Sequence, residues 1–211
     1  MSYKEIQDQE AATWLIEDEA KRREKATREK IRYPLMKKQM GLDALDTRDM
    51  VVWDIGAGPL GGVSSVVDCK QRLCIDPLAT EYGTYFDTTD YVALQAEELK
   101  DKLAVPDLVI VTNALDHFER PEEFLDDLVK HMHAGAYFAH LHAIDNAITH
   151  PHPAHVHNFN PDMLHKYLDA DFETCWELKY PELRYGWVSY QGKVGQPAFS
   201  GLYRKVTGYG K

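Results

Sequence analysis

The stretch Val51-Val-Trp-Asp54-Ile-Gly56-Ala-Gly58-Pro-Leu-Gly61-Gly62 constrains the fold more than any other part of this chain. An apolar run ends on an acid and passes at once into glycines, so the backbone can turn sharply and a ligand can lie directly against it. From Met50 onward the same grammar repeats. Short apolar runs alternate with turn residues and amphipathic stretches, the pattern of βα units around a parallel sheet. Val51 to Ile55 reads as the first strand, Leu73 to Ile75 as the second, Tyr91 to Ala93 as a weak third, Leu108 to Thr112 as the fourth and Ala136 to His142 as the fifth. Phe124, Leu125, Leu128 and Val129 at helical spacing predict a helix over Pro121 to His131, with Pro121 in its first turn and Gly135 just past its end. A second helix is expected from Pro161 to Leu168, then late strands at Phe172 to Tyr180 and Gly201 to Val206. The fold class is therefore α/β: a mostly parallel sheet with helices on both faces and an antiparallel C-terminal strand.

Before Met50 the composition changes. Residues 1–45 read as a helical extension or lid, and 46–211 as the ligand-binding domain. Tyr3 to about Lys30 is rich in Glu, Lys, Arg, Gln and Ala, which suits a mostly solvated helix that Pro34 should kink or end. The basic run Lys21, Arg22, Arg23, Lys25, Arg28 and Lys30 is interleaved with or preceded by Glu17, Asp18, Glu19, Glu24 and Glu29, so it reads as side-chain ion pairs. With a formal net charge of -10 the chain repels phosphate backbones, and nucleic acid is not the expected partner. Cys69, Cys74 and Cys175 are odd in number and lack CxxC spacing, which predicts neither a disulfide framework nor structural zinc and fits a reducing compartment. The N-terminus begins polar, without an apolar h-region, and no apolar run approaches the ~20 residues that cross a bilayer. The expectation is a cytoplasmic chain with no membrane partner.

Gly56, Gly58 and Gly61 satisfy G-x-G-x-x-G, so a nicotinamide or flavin dinucleotide must be weighed. Two acids tilt the balance. Asp54, at the strand tip, would repel a pyrophosphate and attract an ammonium. Asp76, ending the next strand about twenty residues on, can accept hydrogen bonds from both hydroxyls of a ribose. S-adenosylmethionine (SAM) has no phosphate and carries two positive centres.

The succession Asp54-Ile-Gly56-Ala-Gly58, Ile75-Asp76-Pro77, Ala96-Glu97-Glu98-Leu99 and Asp107-Leu-Val-Ile-Val-Thr-Asn113-Ala-Leu-Asp-His117-Phe resembles the ordered motifs of class I SAM-dependent methyltransferases, and most of all the "type 11" group of small-molecule methyltransferases. The resemblance spans about Met50 to Leu168. It implies a Rossmann-like fold and SAM as cofactor. It also implies that Asp54, Gly56, Ala57 and Gly58 line the methionine and ribose, that Asp76, with Pro77 beside it, holds the ribose diol, and that Gln95, Ala96 and Glu97 edge the adenine. Asn113 and Ala114 would pass beneath the methionine near the transferred methyl. The chain departs from the family in carrying Gln95 where aspartate is frequent, and Pro59-Leu60 where smaller residues are common.

If the acceptor is a hydroxyl or a protonated amine, a base must take its proton, and histidine suits that task near neutral pH. His140 and His142 alternate along the fifth strand and share a face. His142, nearest its carboxyl end, is the first candidate, with His117 after the fourth strand and His155 further on. His150-Pro-His152-Pro-Ala-His155-Val-His157, with Asp145 upstream, invites a metal reading. The prolines hold this stretch extended with no fixed i, i+4 pair, so it is read instead as a loop over the acceptor pocket, and no metal is expected. Such a loop before a Phe-x-Pro helix start, here Phe159-Asn-Pro161, also recurs in the type 11 group. Trp14 and Tyr33 could close the pocket as a lid. The dense aromatics Trp176, Tyr180, Tyr185, Trp187, Tyr190, Phe199 and Tyr203 cover the last strands or line the acceptor pocket. The expected activity is methyl transfer to oxygen or nitrogen of a small molecule, a sugar or another metabolite. The alternatives are a nicotinamide-dependent oxidoreductase and a catalytically silent SAM-binding domain. Acceptor, methylated atom and oligomeric state stay open.

Overall fold

The computed structural model describes residues 3–94, 105–143, 157, 161–168, 170–185 and 196–206. Seven strands form one sheet: β1 Val51–Ile55, β2 Gln71–Ile75, β3 Tyr91–Val92, β4 Leu108–Thr112, β5 Tyr137–Ala143, β6 Phe172–Tyr185 and β7 Gln196–Lys205. Their order is β3-β2-β1-β4-β5-β7-β6. The first five run parallel, β7 is antiparallel to β5, and β6 is antiparallel to β7. The described helices are α1 Tyr3–Trp14, α2 Glu19–Gln39, α3 Ala79–Tyr82, α4 Pro121–His131 and α5 Pro161–Leu168.

The central strands are apolar on both faces because both faces are covered. Side chains alternate across the sheet, so Trp53, Ile55, Val109 and Val111 pack on one side with Phe124, Leu125 and Leu128 of α4 and Leu164 and Leu168 of α5. Val52, Leu108, Ile110 and Leu141 pack on the other with Tyr33, Met36 and Met40. Each such burial contributes about 1.5–3 kcal/mol, which is why sequence-distant helices are held to one sheet. Helix α4 follows its local signals, with Pro121 at its start, Glu122 and Glu123 in the first turn, and Lys130 and His131 in the last.

The N-terminal segment departs from expectation. It is two helices, because Asp18 caps a fresh start by accepting hydrogen bonds from the backbone of Ala20 and Lys21. Helix α2 then continues through Pro34 to Gln39. An interior proline costs about 3 kcal/mol, and burial of Tyr33 and Met36 on either side of it offsets that loss. The late strands are longer than their residue types suggest. Ala198, Ser200 and Gly201 resemble turn residues, yet β7 pairs with β5 from Ala143↔Ala198 to Tyr137↔Arg204. Gly201 fits this role because a Cβ there would lie 2.4 Å from the Tyr203 ring. Among the described residues no helix is long and apolar enough to cross a membrane.

Candidate active site

At the carboxyl ends of β1, β2 and β4 the chain encloses a cavity of about 310 Å³, within the range of small-molecule sites. Its floor is the glycine turn. Gly56, Gly58, Gly61 and Gly62 all have positive φ, a conformation open to residues without a Cβ. Space adds to the demand at two of them. A Cβ at Gly56 would come within 2.4 Å of the Ala114 Cβ, and one at Gly62 within 2.6 Å of Asp54 Oδ2. Tyr91 locks the turn from β3, its hydroxyl donating to Gly58 O and accepting from Gly61 N–H, both at 2.5 Å.

The two acids frame this floor. Asp54 is fully buried, and its Oδ2 accepts from Ser64 N–H at 2.8 Å. Asp76 accepts from Gly58 N–H at 3.0 Å and Leu78 N–H at 2.9 Å, so it shapes the turn as well as facing the cavity. Burial raises both carboxyls to about 7; backbone hydrogen bonds only partly counter it. Opposite them, Asn113 takes a positive φ of 47°. Its Oδ1 accepts from Ala143 N–H at 3.2 Å and its own N–H donates to Leu141 O at 2.8 Å, which ties the end of β4 to that of β5.

The roof is α1. Ile6, Gln7, Glu10, Thr13 and Trp14 occupy one helical face over the cavity, and Glu29, Tyr33 and Met36 of α2 close one side. Trp14, Tyr33, Asp54, Gly56, Ala57, Gly58, Asp76, Pro77, Asn113, Ala114 and His117 all line this one cavity. Gln95, Ala96, Glu97 and His155, along with Asp145, His150 and His152, lie outside the described residues, as do the side chains of Tyr180, Tyr185, Trp187 and Tyr190. His157 is described, and its N–H donates to Asp116 O at 3.3 Å.

The histidines separate by depth. His117 stands on the cavity wall, its Nδ1 3.5 Å from Glu10 Oε2 and its Nε2 3.7 Å from Asp116 Oδ1. His142 is 2% exposed and does not line the cavity. Burial lowers it to about 4; the Asp116 carboxylate opposes the shift and His117 adds to it. His140 lies deeper, stacked on His142 at 5.6 Å between ring centroids and held well below the usual imidazole range by burial. Sequence reasoning missed Glu10, Tyr91 and Asp116. The recurrence of Ile6, Gln7, Glu10, Thr13 and Trp14 at helical spacing was a usable signal for the first. Nothing local marks Tyr91, whose role depends on strand pairing.

A cationic nucleoside fits this cavity better than a dinucleotide. Glu10, Glu29, Asp54 and Asp76 line it, and no lysine or arginine does among the described residues. Asp54 Oδ1, Thr112 Oγ1 and Gln7 Oε1, all on wall residues, are buried without a hydrogen-bond partner among the described residues, leaving acceptor capacity for a donor-rich ligand. The glycine turn leads into two short 3₁₀ turns, Gly58–Leu60 and Val63–Val66, and not directly into the α-helix N-terminus that pyrophosphate binding uses.

No protein-family model matches the chain, and no curated protein does. Solved structures do. The N-methyltransferase NodS from Bradyrhizobium japonicum WM9 aligns over 91% of this chain and 100% of its own, at TM-score 0.60 and 14% identity. In complex with S-adenosyl-L-homocysteine (SAH) it aligns over 96% and 97%, at 0.59 and 16%. The YcgJ protein from Bacillus subtilis aligns over 81% and 99%, at 0.56 and 16%. The [4+2]-cyclase SpnF aligns over 83% and 81%, at 0.57 and 13%. The chain has the Rossmann-like fold of class I methyltransferases, with its strand order and its antiparallel C-terminal strand.

Proposed function

We propose that this chain binds SAM in the cavity beneath α1 and directs its methyl group to oxygen or nitrogen of a small molecule. The observation that carries the reading is a cavity at the strand carboxyl ends walled by four acids and, among the described residues, no lysine or arginine. Bound there, SAM would supply an activated methyl on a sulfonium. Asp76 would hold the ribose diol with Pro77 beside it, and Asp54 with Gly56, Ala57 and Gly58 the methionine and ribose. Gln95, Ala96 and Glu97 would edge the adenine, and Asn113 and Ala114 would flank the methyl. Helix α1 acts as a lid whose Ile6 and Trp14 exclude water, and exclusion strengthens every charge contact beneath it. A proton released by the acceptor goes to a histidine. Of His117, His142 and His155, His117 is favoured, since it stands on the wall whereas His142 is buried behind it and holds a proton only in acid. The reading places the chain in the cytoplasm, with a small-molecule partner and neither membrane nor nucleic acid.

Calorimetric titration with SAM, SAH and NAD tests the cofactor. Heats with the first two and none with NAD are expected, and Asp76→Ala should lose about 1–3 kcal/mol of SAH affinity. Binding of NAD alone would sink the reading. One fold hosts several chemistries, so release of SAH from SAM against a panel of hydroxyl and amine acceptors must accompany the titration.

A further inference from the structure

We propose that Tyr82 grips the ribose together with Asp76: its hydroxyl donates to the oxygen of a sugar hydroxyl whose own proton goes to the Asp76 carboxylate. This role rests on the methyltransferase reading, which puts the nucleoside of SAM in the cavity.

A buried tyrosine hydroxyl ordinarily has a hydrogen-bond partner, because without one it forfeits the bonds it made to water. Tyr82 departs from that rule. The residue is 1% exposed, lines the cavity, and stands outside the two apolar clusters that cover the sheet. Its backbone is fully used: the N–H donates to Leu78 O at 2.9 Å, and the carbonyl accepts from Tyr85 N–H and Phe86 N–H. Its hydroxyl makes no hydrogen bond within the protein. Nor is that oxygen among the sealed polar atoms without a partner, so the little surface Tyr82 keeps is at its polar end and opens into the cavity. Tyr91 shows the contrast, since its hydroxyl both donates to and accepts from the glycine turn.

Burial holds the Tyr82 phenol above its ordinary range, and the carboxylates of Asp76 and Glu10, then Tyr91 and Glu81, add to the shift. The hydroxyl therefore keeps its proton and acts as a donor. Asp76 is the charge it feels most, yet no hydrogen bond joins the two. Asp76 Oδ1 accepts from Leu78 N–H and Oδ2 from Gly58 N–H, and each oxygen has a second lone pair for a sugar proton. A ribose hydroxyl can complete both residues at once, giving its proton to Asp76 and taking that of Tyr82 on its oxygen. The carboxylate alone reads the protons of a diol, whereas the phenol reads an oxygen. One tight turn fixes the pair, because Leu78 donates to Asp76 Oδ1 through its N–H and accepts from Tyr82 N–H through its carbonyl. Little ordering is then left for the ligand to impose.

Titration calorimetry of wild type and Tyr82→Phe with SAH, its 2′-deoxy analogue and its 3′-deoxy analogue tests the role, since phenylalanine keeps the ring and removes only the hydroxyl. The variant should bind SAH about three- to tenfold more weakly, the factor for one neutral hydrogen bond. On the analogue that lacks the sugar hydroxyl met by Tyr82, the factor should fall to about one, while on the other it persists. Without ligand the variant should melt no lower than wild type, because the lost hydroxyl bonds to nothing in the protein. Equal SAH affinity in variant and wild type overturns the role. So does a loss undiminished on both analogues, which would put the contact on the base or the methionine. A variant that melts lower without ligand, or does not fold, gives the hydroxyl a structural partner and overturns the role as well. A wild-type chain that takes up no SAH instead overturns the methyltransferase reading, and this role with it.

Discussion

Asp54 and Asp76 are held where burial opposes their charge. Burial raises each from 3.8 to about 7. The sign follows directly: the folded state binds more protons than the unfolded one between those values, so the stability these groups contribute is complete below about pH 4 and is lost as pH rises through 7. A cationic ligand reverses the preference, because it binds the ionised carboxylates. SAM affinity should therefore rise from about pH 6 to about pH 8, about tenfold for each aspartate that must ionise, with protons released on binding. Calorimetry in two buffers of different ionisation enthalpy measures both effects. An affinity that is flat across that range would mean that neither carboxylate meets the cation. At this scale both acids and the glycines were legible in the sequence, because strand tip and turn are neighbours along the chain. Their double duty was not. That Gly62 makes room for Asp54, and that Asp76 shapes the turn through Gly58, are facts of packing between β1, β2 and the residues after them.

Among the elements, α4 shows how a late strand secures an early helix. Lys205 of β7 is buried, and its ammonium donates to Val129 O and to Met132 O at 2.8 Å, satisfying carbonyls that the end of α4 leaves open. Lys205→Met keeps the apolar stem but strands those carbonyls, and should cost about 1–3 kcal/mol of stability in thermal or denaturant unfolding. SAH affinity should be unaffected, since Lys205 is not on the cavity wall. Equal stability of variant and wild type would show that water caps the helix as well as lysine does. The bounds of α4 could be read from Pro121, the apolar stripe and Gly135, all local signals. The junction between α1 and α2 could not be placed by composition, because residues on both sides of Asp18 favour helix and only the cap divides them. The start of β7 likewise depends on its partner β5, since strand formation by small residues needs a neighbouring ladder.

Across the whole molecule, the two N-terminal helices do different work. Helix α2 contributes Tyr33 and Met36 to one face of the core, whereas Ile6 is the single described α1 residue counted in the buried core, and the rest of that helix faces solvent or roofs the cavity. Removing residues 1–17 should leave a cooperatively melting chain that binds SAH about tenfold or more weakly, since the apolar cover from Ile6 and Trp14 is gone. Removing residues 1–39 should abolish folding. Circular dichroism melts and SAH titrations of the two truncations check this. Unchanged SAH affinity in the shorter truncation would show that α1 is no lid.

What the sequence by itself determined is the local grammar: an apolar strand ending in an acid and glycines, the short apolar strand runs that follow it, and an amphipathic helix with its own start and stop signals. Each depends on residues within a few positions of one another. Only the tertiary structure decided the strand order, the seating of α2 through Pro34, the clamp of Tyr91 on the glycine turn, and the meeting of Glu10 with His117. These unite distant parts of the chain, and the burial and electrostatic energies that select them exist only once the sheet has brought those parts together.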